Sequence, residues 1–361
     1  MKLDNPPSWT AAYMLYAKTR PHARFDLGVS NVLPCSVDDL RGAREAIEVN
    51  GENDNGYPPL VDAIAARYGV DRERVATSVG TSGANFLLYL GLLKAGDEVL
   101  VEQPAYDPLL AIGRALAAVV KRFPRPLDHD CRIDPDDVRR AATARTRLIV
   151  ITHPHNPTGA PVDDDTIVEL ATIAERRGAV LLVDEVYLDA ARGAGSRPAA
   201  LLADNIVSTN SLTKSYGLAG LRCGWAIGSP DVAERVRRAR DIVDGTGAIP
   251  AERLSALAFA HLTRLGDRAR GILQPNLETY REFLERTPGL TGAVHPGTVA
   301  FPAVTGADDT TRFVERLLAE HETGVIPGRF FESPGHIRIG LGVAPEVLTE
   351  GLARISQALT R

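Results

Sequence analysis

A large α/β domain of three layers around a mostly parallel sheet, joined to a smaller α+β domain, is the fold this sequence predicts. Three observations predict it. Between residues 75 and 228, short runs rich in valine, isoleucine and leucine alternate with stretches of helical period. Several of those runs are apolar throughout, as in strands buried on both faces of a sheet. The two ends of the chain lose this alternation and carry long helices with a few short strands between them.

The elements follow in order. VATSV (75–79) reads as a strand, and SGANFLLYLGLLK (82–94) as an apolar helix stopped by Ala95-Gly96-Asp97. EVLVEQ (98–103) is a strand, YDPLLAIGRALAA (106–118) a helix, and VVKRF (119–123) a strand. DPDDVRRAA (134–142) opens with Asp and Pro where a helix start favours them. RLIVIT (147–152) is a strand, DDDTIVELATIAERRG (163–178) a capped helix ending at Gly178, and AVLLVD (179–184) and NIVSTN (205–210) are further strands. CGWAIG (223–228) reads as an edge strand. Helical crossovers between strands make the sheet mostly parallel, and the large domain is expected over 45–248.

Residues 1–44 and 249–361 are expected to form the smaller domain together. Its helices are ERLSALAFAHLTRL (252–265), PNLETYREFLERT (275–287), one near 310–321 and one over 345–359, with VAFPAV (299–304) and HIRIG (336–340) among them. No repeat or low-complexity tract interrupts the pattern.

The composition narrows the function. The 361 residues suffice for about two domains with buried cores. A formal net charge of −5 offers no basic field for nucleic acid or an anionic membrane. No 18-residue apolar run occurs, and MKLDNPPSWT has no apolar leader core, so a cytoplasmic protein is expected. Cys35, Cys131 and Cys223 are few, odd in number and far apart, so neither a disulfide framework nor a cysteine-built zinc site is expected.

The residues that carry chemistry cluster after strands, where ligands sit in open parallel sheets. Gly80, Thr81, Ser82 and Gly83 lie between a strand and a helix, where free N–H groups suit a phosphate; a plain strand-to-helix turn uses the same residues. HPHNPTG (153–159) is a rigid turn presenting Asn156; its two histidines lack a third ligand at metal-binding spacing. LLVDEVY (181–187) ends a buried strand in Asp184 and Glu185, a helix cap, a magnesium ligand pair or the partners of a cation. No GxxxxGK[ST] phosphate loop accompanies them. SLTKSYGLAGLRCGW (211–225) sets Lys214 among hydroxyls and glycines, with Arg222 eight residues on.

In this order and spacing these phrases, with GDEVLVEQPAY (96–106) and VIPGRFFESPGHIRIG (325–340), resemble the class I/II aminotransferase family of fold-type I pyridoxal-phosphate enzymes. The resemblance runs from about residue 25 to 358. It implies pyridoxal 5′-phosphate as cofactor, Lys214 as its Schiff-base lysine, and transfer of an amino group from an L-amino acid to a 2-oxo acid. It implies that Gly80, Thr81, Ser82, Ser211, Thr213 and Arg222 hold the phosphate, and that Tyr106 stacks on the ring. Asn156 and Tyr187 then bond the ring hydroxyl, and Asp184 faces the ring nitrogen. Arg338 grips the substrate carboxylate, with Asn156 and Ser30 beside it. Lys214, Asp184 and Tyr187 are the expected catalytic residues, and no metal is expected.

The same resemblance implies a homodimer whose 51–57 segment faces the partner's cofactor. Relatives often carry a tyrosine where Gly51 stands; here either Asn53, Asn55 or Tyr57 substitutes for it or the contact is absent. They carry a glycine where Ser30 stands, with Gly28 two residues earlier. Trp9, Tyr13, Tyr16 and Arg20 lie where relatives close over substrate, or else serve as packing. A lyase, decarboxylase or synthase of the same fold is the alternative activity, and a non-catalytic regulatory module the alternative of another class.

Overall fold

Seven short β-branched runs form the central sheet of the computed structural model, which describes residues 9–360. The leader-region reading of the first ten residues therefore lies almost entirely outside the described residues. The strands are β1 (Val75–Val79), β2 (Glu98–Gln103), β3 (Val119–Pro124), β4 (Thr146–Thr152), β5 (Val180–Asp184), β6 (Ile206–Ser211) and β7 (Cys223–Ile227). Their spatial order is β1-β7-β6-β5-β4-β2-β3. β2 pairs parallel with β3 and β4, and β4, β5 and β6 pair parallel in turn. β7 alone runs antiparallel, to both β1 and β6.

The sheet corrects one expectation. CGWAIG is not an edge strand: β7 lies inside the sheet, and β1 and β3 take the edges. All five β7 residues are buried, as interior strands are. Gly224 makes the position possible, because a Cβ there would overlap the Gly80 backbone. The reversed direction matters to function. The start of β7 meets the ends of β1 and β6, with Val79 opposite Cys223 and Ser211 opposite Gly224, so Arg222 arrives at the same sheet end as Lys214.

Local chemistry accounts for the helices. Asp134 and Asp163 cap theirs by accepting from the N–H groups of Asp136 (2.8 Å) and Thr166 (2.7 Å). The apolar helix Gly80–Leu92 buries Ala84, Leu87 and Leu88 against the sheet. The helix expected to begin at Pro275 instead runs unbroken over Leu262–Arg286. Pro275 forfeits one backbone hydrogen bond, but a continuous buried face through Leu265, Ala269, Leu273, Asn276 and Tyr280 holds the helix across it. ERLSALAFAHLTRL divides instead after Phe259, at Ala260-His261. VAFPAV likewise splits at Phe301-Pro302: Ala300 pairs with Ile339 and Ala303 with Thr291.

The chain's two ends are built into each other. Phe25–Asp26 pairs parallel with Thr323–Gly324, and Leu27 packs with Ile337, Ile339, Leu352 and Ile355 in one apolar cluster. Ile337–Gly340 lies between Val299–Ala300 and Ile326–Pro327 in an antiparallel sheet. These pairings bring Ser30 and Arg338 to the large sheet's carboxyl end.

Candidate active site

A cavity of about 260 Å³ opens at that end. It is lined by Thr81, Ser82, Tyr106, Asn156, Asp184, Tyr187, Ser211, Thr213, Lys214, Arg222 and Ser30, all singled out from the sequence. Gly80 and Arg338 do not line it. Gly80 lies under Arg222, and Arg338 sits behind Asn156 and Tyr13.

Lys214 follows β6 by three residues, and its half-buried side chain lies in the cavity wall. Its Nζ donates to Oγ of Ser30 (2.8 Å) and to Oδ1 of Asn31 (2.7 Å). Burial, then the positive charges of Arg338 and Arg222, bring its pKa down to about 7, against the pull of Asp184. The amine is therefore close to neutral at physiological pH, the state a nucleophile or proton acceptor requires.

Asp184 ends β5. Its Oδ2 accepts from Nδ2 of Asn85 (2.8 Å) and its Oδ1 from the N–H of Val186 (3.1 Å). Burial raises its pKa to about 6, while those two hydrogen bonds oppose the rise. Tyr187 is buried beside it. Burial pushes its phenol up to about 12, against the charge of Arg338 and a hydrogen bond with Ser30.

Arg338 is 1% exposed, and no ion pair holds it among the described residues. It donates to the hydroxyl of Tyr13 (2.8 Å), the carbonyl of Gly28 (3.2 Å) and Oδ1 of Asn156 (3.3 Å), all neutral acceptors. The rings of Tyr13 and Phe331 lie about the guanidinium at 5.1 and 5.0 Å. A buried guanidinium without an anion is costly unless a ligand supplies one.

The opposite end of the cavity suits a phosphate-bearing group. The hydroxyls of Thr81 and Thr213 are buried and have no hydrogen-bond partner. Each costs about 1–3 kcal/mol until something accepts from it or donates to it. Beside them the helix Gly80–Leu92 begins with no side-chain cap; its Gly80 N–H donates to the Arg222 carbonyl (2.7 Å), and a helix start offers the N–H groups of its first turn to an anion. Gly80, at φ +70°, lets Arg222 lie across it; a Cβ would overlap the guanidinium. Ser82 is exposed at the rim, and Ser211 Oγ accepts from the N–H of Thr213 (3.3 Å). Tyr106, which precedes the helix Asp107–Ala115, turns its ring to the cavity and donates to Met14 Sδ (3.3 Å). These residues fit pyridoxal phosphate: unpartnered donors and a cation at one end, a ring-sized wall, a carboxylate and a near-neutral lysine.

The histidines of HPHNPTG hold the turn. Nδ1 of His153 accepts from the N–H of Val162 (2.9 Å), and His155 meets Thr158 Oγ1 (2.8 Å) and the Pro104 carbonyl (3.0 Å). Burial lowers both pKa values, His153 to about 3. In the 51–57 segment, Asn53 donates to Gly247 O (2.6 Å) and Glu252 (3.1 Å), and Asn55 accepts from Arg238 (2.7 Å). The Tyr57 hydroxyl accepts from Arg253 (3.2 Å). Near the N-terminus, Tyr13 lines the cavity while Tyr16 packs on Phe330, Arg20 pairs with Asp26 (2.8 Å), and Trp9 is half exposed.

Sequence reasoning missed four supports. Asn85 and Thr209 hold Asp184 from behind, and Asn31 shares Lys214 with Ser30. Glu102, fully buried with Arg125 (2.7 Å), accepts from both the N–H (2.7 Å) and hydroxyl (2.6 Å) of Thr152 beneath Asn156. An amide in the apolar helix run and a carboxylate in an apolar strand were the available signals, since each needs a buried partner.

Comparison with known proteins agrees. A family model described as aminotransferase class I and II matches residues 36–355. Capreomycidine synthase of Streptomyces vinaceus is 33% identical over 358 residues, covering 93% of this chain and 90% of its own. A probable N-succinyldiaminopimelate aminotransferase of Mycobacterium tuberculosis is 33% identical over 324 residues, covering 82% and 79%. A pyridoxal-phosphate-dependent aminotransferase of Streptococcus suis superposes with a TM-score of 0.90 at 27% identity, over 100% of this chain and 99% of its own.

Proposed function

The chain belongs to the class I and II aminotransferase family, and from that premise we propose how its own residues transfer an amino group from an L-amino acid to a 2-oxo acid. The cofactor is pyridoxal 5′-phosphate. When bound, it supplies a carbonyl carbon that takes the amino group and a ring that draws electrons from the substrate Cα.

Thr81, Ser82, Ser211, Thr213, Arg222 and the helix start at Gly80 would hold the phosphate, and Tyr106 would lie on the ring face. Asn156 and Tyr187 would bond the ring hydroxyl, and Asp184 would keep the ring nitrogen protonated. Arg338 takes the substrate carboxylate, the anion its buried guanidinium lacks. Asn156 Oδ1, which accepts from Arg338, and Ser30 fix the same end. Lys214 carries the proton: its Nζ accepts it from Cα and returns it on the other side of the transfer. Tyr13, with Met14 beside it, covers the cavity and keeps water from the reacting atoms.

The observation that carries this reading is Lys214 in the cavity wall, its Nζ hydrogen-bonded only to the neutral Ser30 Oγ and Asn31 Oδ1, with Arg338 and Arg222 disfavouring its ammonium. The test is a screen of the twenty amino acids, each with a panel of 2-oxo acids, reading 2-oxo acid formed. Formation of a new 2-oxo acid from at least one pair is expected, and its abolition in Lys214→Ala; transfer retained in that variant overturns the assignment.

A second reading is favoured by the likeness to capreomycidine synthase: a synthase that begins with the same proton removal. A synthase turns over without a 2-oxo acid acceptor, whereas an aminotransferase stops after one equivalent. The protein in the first reading is a cytoplasmic homodimer, with a cofactor domain over 45–248 and a smaller domain from 1–44 and 249–361. Among the described residues no helix is long and apolar enough to cross a membrane.

A further inference from the structure

The helix Gly80–Leu92 turns one polar side chain, Asn85, toward the large sheet through an otherwise apolar face. Asn85 is 2% exposed, and Thr209, in the middle of β6, is fully buried beneath it. Nδ2 of Asn85 donates to Oδ2 of Asp184 (2.8 Å), and the Thr209 hydroxyl donates to Oδ1 of Asn85 (2.7 Å). The two bonds are directional. An ionised carboxylate only accepts, so it needs the amide nitrogen; a hydroxyl donating to the amide oxygen turns that nitrogen toward it.

We propose that Asn85 is a positioning residue, oriented by Thr209, that holds Asp184 ionised and aimed into the cavity. The inference rests on the functional reading above for the role of Asp184 toward the cofactor. The groups facing Asp184 divide into two sets. Burial and Glu102 on β2 favour its protonated form. Glu185, pushed up to about 8 chiefly by its own burial, is itself protonated where Asp184 titrates and adds no charge there. The Asn85 amide, the N–H of Val186 and Lys214 favour the ionised form. The phenols of Tyr89, Tyr106 and Tyr187 lie near enough to feel its charge and are raised themselves, so they stay neutral. Asn85 is therefore the neutral side-chain donor, beside the backbone N–H of Val186, whose loss shifts the balance toward protonation. A more basic Asp184 would draw the shared proton away from the ring nitrogen, and the ring would withdraw electrons less well.

The experiment compares wild type, Asn85→Leu and Thr209→Val, which keeps the volume and removes only the orienting hydroxyl. In holoenzyme loaded with nitrogen-15-labelled pyridoxal phosphate, the ring-nitrogen signal should move toward that of unprotonated pyridine in Asn85→Leu, and less far in Thr209→Val. Cofactor affinity should weaken by roughly 10- to 100-fold in Asn85→Leu, the worth of a hydrogen bond to a charged group. In cofactor-free protein, the carbon-13 carboxyl titration of Asp184 should move up by about one to two pH units. A ring-nitrogen signal and Asp184 midpoint unchanged in folded Asn85→Leu would overturn the proposal. If that variant does not fold, the same two readings in Thr209→Val decide it. Wild type that binds no pyridoxal phosphate defeats the functional reading instead, and the Asp184 titration alone then decides the role of Asn85.

Discussion

Nζ of Lys214 lies 2.8 Å from Oγ of Ser30, across 184 residues of sequence. The contact is made by the backbone as well: the N–H of Val32 donates to the Lys214 carbonyl (3.0 Å). Leu27 donates to the Gly324 carbonyl (2.8 Å) and Gly340 to that of Leu27 (2.6 Å), so the N-terminal segment is fixed to the smaller sheet before it reaches the lysine. The lysine's direction is thus set by both ends of the chain.

Ser30→Ala should preserve the fold and lower kcat by roughly 5- to 10-fold, the worth of one hydrogen bond of about 1 kcal/mol. Asn31 still holds the amine, so cofactor affinity should be unchanged. Steady-state kinetics and a cofactor titration check this, and an unaltered kcat would show that Ser30 does not orient Lys214.

The lysine's charge gives a second test. Burial and two neighbouring arginines disfavour its ammonium, so it should be protonated below about pH 7 and neutral above, where an ordinary lysine loses its proton near 10.5. Labelling of cofactor-free protein with an amine-selective reagent, read by peptide mass spectrometry, should show a midpoint for Lys214 near 7. Arg338→Met removes one of those charges and should move the midpoint upward. A midpoint above 9 in wild type would contradict the electrostatic account.

Arg338→Met should raise KM for amino acids by roughly 30-fold or more, since a charged hydrogen-bonding pair contributes about 2–3 kcal/mol. The guanidinium does not line the phosphate end, so the cofactor dissociation constant should stay within about threefold. Equal KM values for the variant and wild type would place the carboxylate elsewhere.

The buried pair Glu102–Arg125 supports the Asn156 turn from below, with neither side chain exposed. Arg125→Met leaves a carboxylate buried without its cation and should cost about 3–5 kcal/mol of stability. The double variant Glu102→Met with Arg125→Met should cost less than the single. Denaturant unfolding measures both, and a single variant of wild-type stability would contradict the pairing.

What could be read from the sequence follows from how local each signal is. The β-strand runs, the Asp134 and Asp163 caps and the glycine turn at Gly80 are dictated by neighbouring residues, and the structure reproduces them. The cavity gathers Lys214, Asp184, Asn156 and Tyr106 because each stands at or just after the end of a strand, at the sheet's carboxyl end. The interior place of CGWAIG was not readable, because it depends on Gly224 meeting Gly80, a residue far away in the sequence. Pro275 misled for the opposite reason: a strong local stop is overridden by a long buried face. Asn85 and Glu102 escaped notice as site residues because their partners, Thr209 and Arg125, are chosen by tertiary contact alone.

The central claim is that Lys214 joins the cofactor. Protein loaded with pyridoxal phosphate, reduced with borohydride and digested, shows by mass spectrometry which side chain carries the adduct. The account predicts one adduct, on Lys214, and none in Lys214→Ala. An adduct on Lys2, Lys18, Lys94 or Lys121 instead, or no adduct on any lysine, would contradict it.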